Sequence, residues 1–548
     1  MKSADGLYTG IEGQVWNARV AMRINRRTLM DSVRPPGRVG GRRSSTGRTL
    51  VIVALAGAFA DASSAGPSEP AASTRPALGS ILVTQIPFRS SSDDGDATGG
   101  GLCGAELPTG SRIVEVSVEG EGRRVRSLTD GFAAASRADL SFDGTHFLFV
   151  GRRAASDKNA VWEMRLADGE VRQVVAPPFG CEAAIYLSTL YTLDAEQPVR
   201  RIAFCGPASA GGPKQFFTCR TDGSNVQQIT FAPEGVSDGY LLTDGRLLFS
   251  MGFPADSPAA SESPTFNRAL FTVNVDGTDI FPFAGVGDGR AWRGRPCESP
   301  DGWVYFLESK ATHPGQAGSV VAVRRARSLH SRRVVASTDQ GNFHSISVLE
   351  DGRLLASYRS GVDRNFSAYR LHILNPNNGE LSRPVVDAPT WHEVDPAAVR
   401  PRPVPHGRSS VVNSNTTVGQ LYCLNVDLSD DAGGSRPGER QVTGVRVFSA
   451  NAKDEVLGTA SVESDGSFFL EAPARTPLRL ETVDGRGEVV RTMRSWMWLM
   501  PAERRGCIGC HEDRELTPPN RHVLALRKAP QRIGVGDAPA IVEPQEGP

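Results

Sequence analysis

The 548-residue sequence lacks the features that mark several large classes of protein. Its 61 basic and 61 acidic residues leave no net charge at pH 7, and a mean hydropathy of −0.27 excludes a protein with many membrane spans. No G-x-S-x-G, H-E-x-x-H, P-loop or G-x-G-x-x-G motif stands in a convincing strand-to-helix context. The usual hydrolase, metalloprotease and nucleotide-binding signatures therefore assign no function to this chain.

Long stretches without glycine or proline are also scarce, because the chain contains 58 glycines and 37 prolines. Frequent turn residues favour short strands over long helices, so we expect a mainly β protein. The length predicts two to four domains, since a single hydrophobic core rarely grows to this size.

Charge is distributed unevenly along the chain. Residues 1–48 hold 10 of the basic residues and 3 of the acidic ones, which leaves 51 basic and 58 acidic residues in the remainder. The remainder therefore carries a net charge near −7, and we expect no nucleic-acid partner.

An apolar run over residues 49–60 follows the basic stretch and ends in the small-residue pattern Ala58-Phe59-Ala60. A basic region, a short apolar region and such a pattern together make up a secretory signal. We predict a signal peptide over residues 1–60, a linker rich in Ser, Ala and Pro over 61–77, and an exported or periplasmic mature protein with no membrane span. The alternatives are a buried strand and an uncleaved anchor, although this run is short for crossing a bilayer.

Residues 78–407 repeat one pattern, in which an apolar strand, an Asp-Gly or Asn-Gly turn and a second apolar strand follow one another. Asp-Gly suits two-residue hairpin turns because both central residues need a positive φ. The turns form two interleaved series, one at Asp143, Asp244, Asp301 and Asp351 and the other at Asp168, Asp222, Asp276 and Asn378. A period of about 50 residues indicates a β-propeller, for which six blades are expected, and the repeats resemble those of TolB-type propellers. The alternative is a β-sandwich without repeats.

Two segments are expected to complete the propeller. Residues 78–87, LGSILVTQIP, are predicted to add a strand to the closing blade, and the proline-rich residues 385–407 to form a linker or a strap across the propeller. Residues 408–500 then show strand signals at intervals of about ten residues, which predict a small antiparallel β-sandwich.

A C-x-x-C-H motif, formed by Cys507, Cys510 and His511, follows the predicted sandwich. Two cysteines at this spacing form thioethers with the two vinyl groups of one haem, and the adjacent histidine binds the iron from the proximal side. We therefore predict one covalent haem c on residues 501–548, with Cys507 and Cys510 as attachment sites and His511 as the proximal iron ligand. Such attachment takes place outside the bacterial cytoplasm, which agrees with the predicted signal.

Three other interpretations of the two cysteines stay open: a thioredoxin-like pair, half of a zinc site and a disulfide. A thioredoxin-like pair belongs at the start of a helix in a βαβ context, and a zinc site needs further clustered ligands. The sequence around the motif shows neither, so haem attachment is the preferred interpretation.

The second axial ligand of the iron is not determined by the sequence. His522 is a possible distal ligand because the turn-forming Pro518-Pro519 lies between it and His511. Three methionines precede the motif closely and are also candidates, namely Met493, Met497 and Met500. A histidine from the propeller and an open coordination position are the remaining alternatives.

The other six cysteines show no metal-ligand spacing. They are Cys103, Cys181, Cys205, Cys219, Cys297 and Cys423. In an exported protein some of them can pair, and Cys181 with Cys205 is the nearest plausible bridge across a blade.

The order of these parts resembles the alpha-subunit family of hydrazine synthase. The resemblance covers roughly residues 81–530 and is most specific over residues 496–519, WMWLMPAERRGCIGCHEDRELTPP. It implies a propeller beside c-type haems, in a complex that condenses nitric oxide with an ammonia-level nitrogen. By this resemblance, too, Cys507 and Cys510 are the thioether sites and His511 is the proximal ligand.

Two departures from that family argue against hydrazine synthesis. The family carries two C-x-x-C-H sites, whereas this sequence contains one. The family's catalytic haem uses a tyrosine four residues after the motif histidine as an oxygen ligand, and Glu515 stands at that position here.

We therefore expect an exported monohaem c-type redox protein, either an electron-transfer subunit or a haem-based small-molecule oxidoreductase, with a redox partner protein. The alternative is a non-catalytic interaction or sensory module. In that case a propeller face binds a protein or glycan, and the haem is structural or senses a gas. The sixth ligand of the iron distinguishes electron transfer from catalysis or gas binding.

Overall fold

The computed structural model describes residues 79–88, 107–119, 122–192, 195–252, 267–286, 291–309, 318–338, 341–361, 367–428, 441–450, 455–509 and 522–535. All of them belong to one compact unit, Arg75–Pro548. The predicted signal peptide and linker, together with Cys510, His511 and Glu515, lie outside the described residues.

The described residues before 399 form six sheets, which we number as blades. Blade 6 begins with β1 (Gly79–Pro87), β2 (Arg112–Glu119) and β3 (Gly122–Ser127). Blade 1 contains β4 (Ala134–Leu140), β5 (His146–Arg152), β6 (Ala160–Arg165) and β7 (Val171–Val175). Blade 2 contains β8 (Ala183–Tyr186), β10 (Arg201–Pro207), β11 (Lys214–Arg220) and β12 (Gln227–Gln228), with the short β9 (Leu190–Tyr191) outside the sheet.

The remaining blades follow the same order. Blade 3 contains β13 (Val236–Leu241), β14 (Leu247–Gly252), β15 (Arg268–Val273) and β16 (Phe281–Ala284). Blade 4 contains β17 (Trp292–Glu298), β18 (Trp303–Ser309), β19 (Ser319–Arg324) and β20 (Arg333–Ala336). Blade 5 contains β21 (Gly341–Val348), β22 (Leu354–Ser360) and β23 (Arg370–Leu374), and β24 (Trp391–Ala398) returns to blade 6.

The six blades close into a propeller, which confirms the predicted mainly β fold. The innermost strands β4, β8, β13, β17, β21 and β24 contact one another in this order, and β24 contacts β4. Strand β1 lies between β2 and β24 and pairs antiparallel with both, so the predicted closing strand is confirmed. The turns lie at the predicted Asp-Gly positions, but the glycine alone has a positive φ, for example 72° at Gly144 and 84° at Gly245. The predicted two-residue turn with a positive φ at both central residues is therefore wrong.

The proline-rich stretch 385–407 is only in part the predicted linker or strap, because β24 lies within it. Pro396 is tolerated in β24 because the strand has a β-bulge there. Residues 399–410 then cross the loops of three blades. Backbone amides of this strap donate to Phe142 O in blade 1 and Thr243 O in blade 3, and β25 (Arg408–Ser409) pairs with β9 beside blade 2.

Two further sheets follow the strap and form a sandwich, in which two strands pair parallel with their neighbours instead of in the predicted antiparallel manner. One contains β32 (Arg504–Cys507), β26 (Val418–Cys423), β29 (Phe468–Pro473) and β33 (Gln531–Arg532) in this spatial order. The other contains β28 (Glu455–Ser461), β27 (Val442–Ser449), β30 (Leu478–Asp484) and β31 (Val489–Thr492). The segment predicted for haem therefore contributes β32 and β33 to the sandwich.

Helix is nearly absent from the described ranges, where the 3₁₀ turn Ala525–Arg527 is the helical element. No helix in this part of the chain is long and apolar enough to cross a membrane.

The expected disulfide between Cys181 and Cys205 is wrong, because both are buried free thiols. They pack in different apolar clusters. The Sγ of Cys181 donates to Asn159 O at 3.4 Å, whereas that of Cys205 donates to Val236 O at 3.6 Å. The two thiols therefore have different hydrogen-bond acceptors.

Four charged residues meet at the centre of the propeller. Arg137, Asp238, Arg295 and Asp395 come from blades 1, 3, 4 and 6, and each occupies a β-bulge with a φ between 49° and 57°. Arg137 lies 3.7 Å from Asp238 and 3.9 Å from Asp395, and Arg295 lies 3.3 Å from Asp238 and pairs with Asp395 as well. The four charges thus form a closed ring of alternating sign, which we call the axial charge ring.

The two arginines of this ring lower the pKa of both its carboxylates. Burial raises the pKa of Asp395, but Arg295 and Arg137 together hold it below the ordinary value of an aspartate. The same balance of burial against the two arginines lowers the pKa of Asp238. Both carboxylates are therefore ionised at neutral pH, and the ring links non-adjacent blades.

We predict that Asp395→Asn lowers the free energy of unfolding by about 3–5 kcal/mol, because it leaves two partly buried arginines short of a counter-charge. Asparagine adopts the left-handed conformation as readily as aspartate, so the substitution isolates the charge. Chemical denaturation measures the difference. Glu455→Gln removes an exposed carboxylate and serves as the control, and an equal loss in both variants would contradict a role for the ring.

Candidate functional site

The segment Trp496–Glu503 joins the sandwich to the propeller. The Trp498 indole is fully buried and donates from Nε1 to Gly277 O at 3.0 Å, in the turn between β15 and β16. The Trp496 indole donates to the Glu234 carboxylate at 3.1 Å. Gly277 has a φ of +91°, and a Cβ there would lie 2.9 Å from the Met500 sulfur, so the close approach of the segment requires glycine.

Glu503 fixes the end of this segment. Its Oε1 accepts from the backbone amide of Asp279 at 2.8 Å, and its Oε2 accepts from that of Met500 at 2.7 Å. The residue is 4% exposed, and burial raises the pKa of its carboxyl while Arg505 opposes that rise. The Glu503 carboxylate thus links Asp279 of blade 3 to Met500, shortly before β32 begins.

Strand β32 pairs parallel with β26, with Arg505 opposite Leu421 and Cys507 opposite Cys423. Side chains alternate between the two faces of a strand, so Arg505 and Cys507 share a face. Cys507 is half-buried, and Cys423 is fully buried beside it. The first cysteine of the motif is therefore held by a regular sheet.

A cavity of about 970 Å³ lies between the propeller and the sandwich at this face. Phe281, Phe306 and His330 line it from blades 3 and 4, and Met497, Arg505 and Cys507 line it from the sandwich. Ligand cavities of this kind measure about 300–1,000 Å³, so the space is large enough for a cofactor. Neither domain encloses the cavity alone.

Charged side chains are concentrated on one part of the cavity wall. Glu308 accepts from Arg293 Nε at 2.7 Å and also pairs with Arg332. Burial raises the pKa of Glu308, but Arg332 and Arg293 together hold it below its ordinary value. Arg491 and Arg505 also line the cavity, so the wall carries more positive than negative charge.

Some of the candidates for a second iron ligand line the cavity, and others do not. Met493, Met497 and the propeller residue His330 line the cavity that contains Cys507. Met500 instead packs against Gly277, and His522 is exposed and is not among the lining residues. Within the described ranges, no group of three or more His, Cys, Asp or Glu side chains is placed to hold a metal ion.

Three residues of this site were not identified from the sequence. Cys423 and His330 are remote from the motif in the chain, and no local pattern connects them with it. Arg505 did carry a signal, since it precedes Cys507 by two residues in an extended stretch. That spacing places two side chains on one face of a strand.

Comparison with known proteins shows what this arrangement is similar to. The family model described as "Hydrazine synthase alpha subunit middle domain" matches residues 417–512, which cover the sandwich and the C-x-x-C-H motif. The chain is 23% identical over 520 residues to hydrazine synthase subunit alpha of Kuenenia stuttgartiensis, across 74% of this chain and 63% of that protein. It thus matches less than two thirds of the length of the curated relative.

One solved structure gives the same result for the fold. The structure of Kuenenia stuttgartiensis hydrazine synthase superposes with a TM-score of 0.69 and 20% identity, over 82% of this chain and 71% of that one. TolB from Acinetobacter baumannii covers 58% of this chain and 66% of its own, at 11% identity and a TM-score of 0.38. The chain is similar in sequence and fold to hydrazine synthase subunit alpha, and the expected family resemblance is confirmed.

We predict that Glu503→Ala lowers the free energy of unfolding by about 2–4 kcal/mol, since two buried backbone amides lose their acceptor. Urea denaturation monitored by tryptophan fluorescence measures the change. The buried Trp496 and Trp498 contribute to this signal. Glu488→Ala removes an exposed carboxylate of the same domain and should have little effect. Equal stability of both variants would contradict the role given to Glu503.

Proposed function

We propose that the chain is an exported monohaem c-type redox protein that transfers electrons. Haem is attached through Cys507 and Cys510, and His511 is its proximal iron ligand. The observation that carries this proposal is the position of Cys507 at the wall of a 970 Å³ cavity, at the start of the one C-x-x-C-H motif in the sequence. When bound, haem c supplies reversible one-electron transfer at its iron.

The residues of the cavity fit such a group. Phe281, Phe306 and Met497 provide an apolar wall for the macrocycle. The Arg505 side chain lies in the same wall, and its Nε and Nη1 are buried without a hydrogen-bond partner. An amphipathic ligand with carboxylate groups satisfies both features, and haem is such a ligand.

Electron transfer is preferred over catalysis because side chains able to bind iron already line the cavity. His330, Met493 and Met497 offer imidazole and thioether groups, the two usual second ligands of electron-transfer haems. Covalent attachment requires export, and electron transfer requires a redox partner protein. Hydrazine synthesis is not proposed, because Glu515 replaces the tyrosine of the family's catalytic haem site.

We predict that the chain, co-expressed with a haem c maturation system, retains one haem per chain after denaturation. Cys507→Ala should retain a single thioether, so the pyridine hemochrome band shifts to longer wavelength because one vinyl group remains. Cys423→Ala is the matched control, since it removes a neighbouring thiol from the same cavity and should leave the band unchanged. Absence of covalent haem from the wild-type protein would refute the proposal.

We further predict that the reduced wild-type protein does not bind carbon monoxide, because the imidazole or a thioether of the cavity would hold the iron. Single substitutions His330→Ala, Met493→Ala and Met497→Ala identify that side chain, and the one that opens the iron should show a carbon monoxide spectrum. The exposed His522→Ala is the control for a surface histidine. Prompt carbon monoxide binding by the wild type would instead indicate a haem-based oxidoreductase or gas sensor.

A further inference from the structure

Arg505 is a buried cation whose charge the described residues do not neutralise by contact. The residue is 6% exposed, and its Nε and Nη1 are buried without a hydrogen-bond partner. An unpaired buried charge destabilises a folded protein unless a ligand or a counter-ion compensates it. We therefore expect an anionic group beside Arg505.

The carboxylate of Glu503 is not that group. Arg505 acts electrostatically on Glu503, but both oxygens of Glu503 accept from the backbone amides of Asp279 and Met500. Across the cavity, Glu308 is already shared by Arg293 and Arg332. Glu503 and Glu308 therefore both accept hydrogen bonds from groups other than Arg505.

The position of Arg505 relative to Cys507 defines where such an anion would lie. The two residues are two apart on β32, so their Cα atoms are roughly 7 Å apart and their side chains leave the strand on one face. Both line the same cavity, and the Arg505 guanidinium lies 5.9 Å from the centre of the Phe281 ring. An anionic group on a ligand that is anchored at Cys507 lies within reach of this arginine.

Arg491 adds a second positive charge to this wall. It also lines the cavity, and its Nη1 donates to Val426 O at 3.3 Å while its Nε is buried without a partner. A guanidinium binds a carboxylate through two parallel hydrogen bonds, a geometry that lysine does not provide.

We propose that Arg505, assisted by Arg491, binds a carboxylate of the prosthetic group, namely a haem propionate. This assignment rests on the proposed attachment of haem at Cys507. It makes Arg505 a positioning residue that sets the orientation of the haem in the cavity and neutralises one propionate. A cation at that place also favours the reduced, less positive state of the iron.

The test compares Arg505→Gln and Arg505→Lys with Arg504→Gln in haem-loaded and haem-free protein. Arg504 is the matched control, because it is the neighbouring arginine of β32 but is exposed and lies over the Phe469 ring at 4.9 Å. The haem-free form is the full chain expressed without the maturation system. Thermal unfolding of both forms and the midpoint potential of the loaded form are measured.

We expect the size of the stability change to differ between the two forms. Arg505→Gln should lower the unfolding temperature of the haem-loaded protein more than that of the haem-free protein, because only the loaded form loses the ion pair with the propionate. Its midpoint potential should fall by an amount equivalent to a roughly tenfold change in the one-electron reduction equilibrium, about 59 mV. Arg505→Lys should keep most of the potential, and Arg504→Gln should change neither quantity.

An equal loss of stability in both forms, with an unchanged potential, would show that Arg505 is only structural and would overturn the assignment. Sodium acetate distinguishes the source of the carboxylate. Stabilisation of the haem-loaded wild type by acetate, absent in Arg505→Gln, would mean that the site binds a free carboxylate and would also overturn it. A wild-type chain without covalent haem contradicts the proposed function itself, whereas a haem-loaded chain with unchanged Arg505 variants contradicts only this inference.

Discussion

The hydrogen bonds of Glu503 and Trp498 to one turn of blade 3 determine where the rest of the candidate site lies. Strand β32 begins at Arg504, directly after the anchored carboxylate, so the direction in which Arg505 and Cys507 face follows from that anchor. The cavity has one wall from each domain, and these walls remain opposed because this short segment is bonded to both. The site is therefore a property of the interface.

The propeller and the sandwich contribute different structural features to that interface. The propeller is held from the inside by the axial charge ring, which links blades 1, 3, 4 and 6 across the channel. On the cavity side, blades 3 and 4 present Phe281 and Phe306 together with His330 and the charged Arg293, Glu308 and Arg332. The sandwich contributes Cys507 and Arg505, so both domains supply residues with chemical function.

The sequence predicted the fold well because turn chemistry is local. Asp-Gly pairs marked the hairpins of the blades, and the change of rhythm after residue 408 marked the sandwich. Pro396 led to the prediction of a linker or strap over residues 385–407, although part of this stretch is a strand. A proline inside an innermost strand is tolerated only through a bulge, and no local sequence pattern predicts that bulge. The site was predicted only at Cys507, because Cys423 and His330 reach the cavity through long-range pairing and domain packing, which residue spacing does not encode.

Blade 6 ties together strands that are far apart in the chain, as the hydrogen bond between Gln85 and Glu393 across 308 residues illustrates. Contacts of such sequence separation form late, since a long loop must close before they form. Until Trp391–Ala398 has been synthesised, one edge of β1 has no neighbouring strand, and an unpaired edge is a template for association with other chains. We therefore expect strand β1 to be open to such association until Trp391–Ala398 pairs with it.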